Sequence, residues 1–174
     1  MLSNMDTALL ILRIVVGLLF AGHGAQKVFG WFGGPGIAGM SGYMGQMGLY
    51  PPRFWTWANA LAEFLGGIGL ALGLLTPLAA VALVGSMLVA IIKVHWTKGL
   101  WNHAGGLEFP LLMGAVAFVV GLTGAGMYSL DSMLGLALHT MTVYWILLIL
   151  MLITIIVALV ATPLVSRQQH EPPA

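Results

Sequence analysis

Apolar residues run along this chain in long blocks, and polar residues collect between the blocks instead of alternating with apolar ones. Blocks near or above the roughly 18–20 residues needed to cross a bilayer recur. They predict membrane spans over residues 7–28, 54–75, 78–95, 107–122 and 142–163, the fourth of them short. Between the first two spans, residues 30–52 are rich in glycine and end in Pro51-Pro52, which excludes a further span. Met40, Met44 and Met47 recur there at i, i+4, i+7 and predict a short helix on the membrane surface. Its methionines read as a packing stripe, since methionine is a soft gap-filler. Thr76-Pro77 makes a tight turn into the third span. A Trp-flanked polar loop through Lys98, Trp101, Asn102, His103 and Gly105-Gly106 precedes the fourth. Residues 124–140 form a connector in which Asp131-Ser132 is the expected N-cap of an interfacial helix.

The expectation is an all-α membrane protein: an up-and-down four-helix transmembrane bundle plus a fifth C-terminal transmembrane helix. Residues 1–131 form the membrane domain, and 132–174 the extra helix and a polar tail. Gly69 and Gly73 make a GxxxG pair, and Gly66 shares a stripe with Gly73, the pattern of closely approaching membrane helices. Composition agrees, since 60 % of residues are hydrophobic and 6 % charged, against about a quarter charged in soluble domains. A net charge of +1 gives no support to nucleic-acid binding. The absence of cysteine excludes disulfides, thiolate chemistry, iron–sulfur ligation and a CxxC pair. Any redox role then uses a bound small molecule or a partner subunit.

Asp6, with no Lys or Arg before the first apolar run, argues against a cleaved signal peptide. Lys27, Arg53, Lys93, Lys98 and Arg167 follow the first, third and fifth spans, while the opposite side carries Asp6 and Asp131. The positive-inside rule places the N-terminus outside and the C-terminus in the cytoplasm.

Ionisable residues inside or at the rim of the apolar blocks carry the candidate chemistry, because a charge near a span's centre costs about 2.5–3.5 kcal/mol. They are Arg13, His23, Lys27, Glu63, Lys93, His95 and Glu108. Alternating chain direction brings most of them to one half of the membrane, with His23 and Lys27 on one face of the first span. Glu63 is the expected partner for one of the cations, Arg13 among them, since pairing makes a buried charge tolerable. The bland readings are snorkelling for Lys27 and Lys93, a structural ion pair for Arg13 and Glu63, and belt anchoring for Trp31, Trp96 and Trp101. The tryptophans could instead wall a site for a flat ring. A metal site finds little support, because no His–Glu spacing suits one and the lysines would repel a cation.

Arg13, Gly17, Phe20, His23, Gly24 and Lys27 form R-x3-G-x2-F-x2-HG-x2-K. Glu63 with Gly66-Gly67, then Lys93, His95, Glu108 and the run Gly-Ala-Gly-Met-Tyr-Ser-Leu-Asp at 124–131 follow in order. From about residue 8 to residue 131 this ordered set resembles the DoxX family of small bacterial and archaeal membrane proteins. The fifth span and tail depart from the family's four-helix pattern. The resemblance implies residence in a bacterial or archaeal cytoplasmic (inner) membrane. It also implies kinship with the membrane subunit of thiosulfate:quinone oxidoreductase and association with redox or oxidative-stress partners.

On that reading the chain is a membrane-embedded component of a quinone-linked oxidoreductase or redox complex. It has no covalently bound cofactor, and a quinone is its substrate or electron acceptor. His23, Glu63 and His95 are the candidate catalytic residues. Arg13, Lys27, Asn59, Lys93, Trp96, Trp101, His103 and Glu108 are the candidate quinone- or substrate-binding residues. Expected partners are the lipid bilayer, a redox partner subunit or enzyme, and a second copy of the chain. The alternatives are a scaffold or assembly partner without turnover, or a small-anion or weak-acid transporter.

Overall fold

The computed structural model describes residues 4–136 and 141–168, with side chains as far as residue 160. The last residues of the expected connector, Arg167's side chain and the tail beyond residue 168 lie outside that description. Among the described residues the chain is helical and has no strand. The helices are α1 (Asn4–Val28), α2 (Gly36–Gln46), α3 (Pro52–Leu72), α4 (Thr76–Ala90), α5 (Glu108–Thr123), the short α6 (Leu130–Met133) and α7 (Met141–Gln168). α4 does not stop at Ala90. It continues as a π-helical turn over Ile91–His95 and a 3-10 turn over Trp96–Lys98.

Among the described residues three helical stretches are long and apolar enough to cross a membrane: Asn4–Val28, Thr76–Lys98 and Met141–Val160. Glu108–Thr123 is apolar but shorter. α3 has 21 residues, but Arg53, Asn59 and Glu63 interrupt its apolar run.

α1 and α3 make the most extensive helix pair and run antiparallel, Gly17 lying against Ala71 and Gly24 against Phe64. Their backbones nearly touch: a Cβ on Gly17 would sit 2.6 Å from the Gly67 carbonyl oxygen, and one on Gly67 would sit 2.4 Å from Ala21 N. In lipid such contact replaces the hydrophobic drive that water supplies to soluble bundles. The close crossing therefore uses Gly17, Gly24 and Gly67, not the GxxxG pair expected at Gly69 and Gly73. Gly66 and Gly69 do face α4, against Leu83 and Ala79. Gly73 instead ends α3 in a left-handed conformation (φ 64°), with Leu74 N donating to Gly69 O at 2.8 Å, which closes the helix end.

α4 stacks on α3 and α5, and Phe20, Leu70, Leu83, Met113, Val120 and Tyr144 fill the interior. α7 rests mainly on α4. Its Tyr144 is buried, stands over Gly121 and donates to Phe118 O at 3.0 Å, while Met151 lies on Gly85. As far as residue 160, most of the other α7 side chains face outward.

Candidate functional site

α1 ends, α3 begins, α4 ends and α5 begins at one end of the molecule. The α1–α3 crossing points Lys27 toward α3, and there it meets two residues on successive turns, Asn59 and Glu63. Lys27 Nζ donates to Asn59 Oδ1 at 2.6 Å. The Asn59 amide donates to Ser86 Oγ of α4 at 2.8 Å, and Ser86 donates to Glu63 Oε1 at 2.6 Å. Lys27 Nζ lies 2.5 Å from Glu63 Oε2, an ion pair without hydrogen-bond direction, so Oε2 receives no hydrogen bond. Four side chains from three helices thus close a ring. Glu63 is 2 % exposed and Lys27 19 %, so the pair is held where removal of either charge would strand the other.

The ring forms part of the wall of a cavity of about 190 Å³. Lys27 and Asn59 line one side and Lys93, Val94 and His95 another, while Met40, Tyr43, Met44 and Met47 come from α2 and its end. The π-helical turn is what carries Lys93 and His95, and such turns recur at functional sites. Lys93 Nζ makes one long contact, 3.4 Å to Met47 O. His95 Nδ1 stands 2.6 Å from Gly105 O. A carbonyl only accepts, so Nδ1 carries the hydrogen of this bond. With two ammonium groups and one carboxylate around it, the cavity has an excess of positive charge.

Met44, Asn59 and Val89 also border a second void of about 370 Å³ between α3, α4 and α7. Its walls are almost wholly apolar.

The remaining expected site residues stand elsewhere. Arg13, fully buried, lies at the opposite end of α3. Its Nη2 donates to Tyr128 O at 2.6 Å, and its guanidinium packs so closely on Gly73 that a Cβ there would collide with it. Asp131 is its opposing charge. The expected Arg13–Glu63 pair is therefore corrected, because antiparallel packing separates the two along α3 by about ten residues, roughly 15 Å. Asp131 does not start an interfacial helix either: Ser129 caps α6, and Asp131 reaches across to accept from Leu75 N (2.7 Å) and Thr76 N (2.9 Å) at the start of α4.

His23 stands one turn before Lys27 on α1, yet its side chain meets other partners. It is exposed, touches Gln26 and meets Phe109 edge-on at 5.5 Å, outside the ring. Glu108 accepts from Asn102 N at 2.9 Å and so pins the loop before α5. Trp96 and Trp101 are 68 % and 61 % exposed, His103 is exposed too, and none of the three lines either void. Sequence reasoning missed Ser86, whose one signal is that it is a lone hydroxyl within an apolar helix. It also read the α2 methionines as packing only, whereas they roof the cavity.

The family follows from residues 8–96, which match the DoxX model. The chain belongs to the DoxX family. Among curated relatives, "Putative oxidoreductase CatD" of Bacillus subtilis (strain 168) is 28 % identical over 74 % of this chain and 88 % of its own length. "Inner membrane protein YqjF" of Escherichia coli (strain K12) is 30 % identical over 74 % of this chain and 93 % of its own. "Uncharacterized membrane protein Rv3486" of Mycobacterium tuberculosis is 29 % identical over 71 % and 79 %. No solved structure matches. In this DoxX protein the matched region contains the whole ring, Lys93 and His95, while Glu108, Asp131 and α7 lie beyond it.

Proposed function

We propose that this DoxX membrane protein is the embedded component of a quinone-linked oxidoreductase or redox complex, and that the cavity beneath α2 holds the quinone ring. One observation carries the reading: a polar cavity in which Lys27, already bonded to Glu63 and Asn59, stands with Lys93 and His95. Lys27 gives one ammonium proton to Asn59 and is held to Glu63 by charge, so it keeps protons to donate, and Lys93 is only loosely held. Both can donate to a ring carbonyl and stabilise the negative charge that reduction places on it. His95 Nε2 exchanges a proton. Glu63, behind Lys27, holds the ammonium in place and does not itself touch the ring. Reduction takes up two electrons and two protons, and the electrons come from a bound donor or a partner subunit. The name of the Bacillus subtilis relative agrees with a redox role.

The same reading sets α1, α3, α4 and α5 as a four-helix membrane bundle with α7 as a fifth span. α3 is tolerated in lipid because its carboxylate is paired. On that reading the gathering of Lys27, Arg53, Lys93 and Lys98 at one end supports a cavity that faces the cytoplasm, by the positive-inside rule.

The test is binding of a quinone analogue to the purified protein. Lys27→Met should weaken it by about tenfold to a hundredfold, the scale of a lost charged hydrogen bond of about 1.5–3 kcal/mol. Unchanged affinity in both Lys27→Met and Lys93→Met would sink the reading. The positive excess also favours a second reading, passage of a small anion or weak acid. Flux into liposomes without any quinone present would select it.

A further inference from the structure

The second void has a different chemistry from the first, and the difference lies in how its polar groups are used. The polar side chains lining it include Trp55, Asn59, Ser86 and Thr154. Trp55 Nε1 donates to Tyr50 O at 3.1 Å, and Thr154 Oγ1 to Leu150 O at 2.8 Å. Asn59 uses both ends of its amide in the ring, and Ser86 both donates and accepts there. The void therefore offers a ligand almost nothing but hydrocarbon. In the other cavity, by contrast, Lys93 makes only a long contact to Met47 O, His95 uses Nδ1 on Gly105 O and leaves Nε2, and Lys27 keeps ammonium protons beyond the one given to Asn59.

The two voids are neighbours across a shared wall, Met44, Asn59 and Val89 bordering both. Together they reach the range of small-molecule sites, about 300–1,000 Å³. A chamber carrying lysine and histidine beside an apolar one suits a molecule with a hydrogen-bonding head and a hydrocarbon tail that passes the shared wall. The outer wall of the apolar chamber is α7, through Leu147, Met151, Ile155 and Leu159. That helix lies outside the residues matched by the family model.

Resting on the quinone reading above, we propose that α7 is a specificity element, closing a groove that takes the isoprenoid tail of a long-chain quinone whose ring sits among Lys27, Lys93 and His95. The tail comes out of lipid and not out of water, so its gain is packing contact alone, and the preference it confers is modest.

The experiment uses the full chain in nanodiscs and two probes, a decyl-tailed benzoquinone and the same ring without a tail. Ala82, half-buried on α4, lines the groove and not the polar cavity. Ala82→Phe should weaken the tailed probe by about tenfold, a difference of about 1.4 kcal/mol, and leave the tail-less probe within about twofold. Ala82→Ser, which does not fill the groove, should leave both unchanged. A tailed quinone carrying a diazirine at the tail end should label α7 between residues 147 and 159, a readout that needs no variant.

Equal effects of Ala82→Phe on both probes, or labelling confined to added phospholipid, would overturn the groove assignment. If the tail-less probe binds and the tail adds nothing, only this inference falls. If neither probe binds the unaltered protein, the quinone reading fails and takes the inference with it.

Discussion

α1 carries two cations within the bundle, Arg13 fully buried and Lys27 partly so, and the two ends of the molecule treat them differently. At the Arg13 end, the bonds that form hold backbone: Arg13 Nη2 on the Tyr128 carbonyl, Asp131 on the free N–H groups at the start of α4, and Asp6 on Met127 N, while Arg13 Nε and Nη1 lie buried against protein without a hydrogen-bond acceptor. Neither of the two voids is lined by these residues. At the Lys27 end the carboxylate, amide and hydroxyl form a ring that fixes the ammonium, and a cavity with two further polar side chains opens beside it. A buried charge in a membrane helix is thus not by itself a sign of a site. It becomes one when hydrogen-bonding capacity remains next to open space.

The difference can be broken most forcefully at Arg13. Arg13→Leu should cost about 3–5 kcal/mol of stability by leaving Asp131 without its counter-charge, seen as lost expression or a large fall in Tm in detergent. A milder cost with impaired ligand binding would mean that Arg13 belongs to the site after all.

Double-mutant cycles sharpen the assignment. Glu63→Leu with Lys27→Met should show a coupling of about 0.5–3 kcal/mol, whereas Glu63→Leu with Arg13→Leu should be additive within about 0.5 kcal/mol. Coupling of the second pair would restore the ion pair that the helix packing excludes.

Ser86→Ala should cost about 1–3 kcal/mol, because Glu63 Oε1 and the Asn59 amide each lose a buried partner. Thermal unfolding measures this, and a neutral result would mean that the ring is not a connected unit. The smallest effect is expected at His23. His23→Ala should change stability by no more than about 0.5 kcal/mol and leave quinone-analogue affinity unchanged in a binding titration.

Much of the architecture was legible in the chain. Helix positions follow from local hydropathy, and α1, α2, α4, α5 and α7 lie close to the expected segments. Lys27, Glu63, Asn59, Lys93 and His95 were all singled out, because polar side chains in apolar runs stand out against their neighbours. Ser86 did not, since a lone serine costs a membrane helix little and can satisfy itself on its own backbone. The methionines of α2 escaped for the opposite reason, their softness making packing the default explanation.

By itself the sequence determined that this is a helical membrane protein of the DoxX family with charges too costly to be accidental. That information is local: it depends on runs of apolar residues and on the free energy of placing each side chain in lipid. Which charges meet was decided only in three dimensions. Partnership depends on rotation about each helix axis and on where two helices cross, and Gly17, Gly24 and Gly67 set both by letting α1 and α3 touch at their backbones. That crossing turns Lys27 inward to Asn59 and Glu63, leaves His23 on the outer surface, and carries Arg13 to the opposite end.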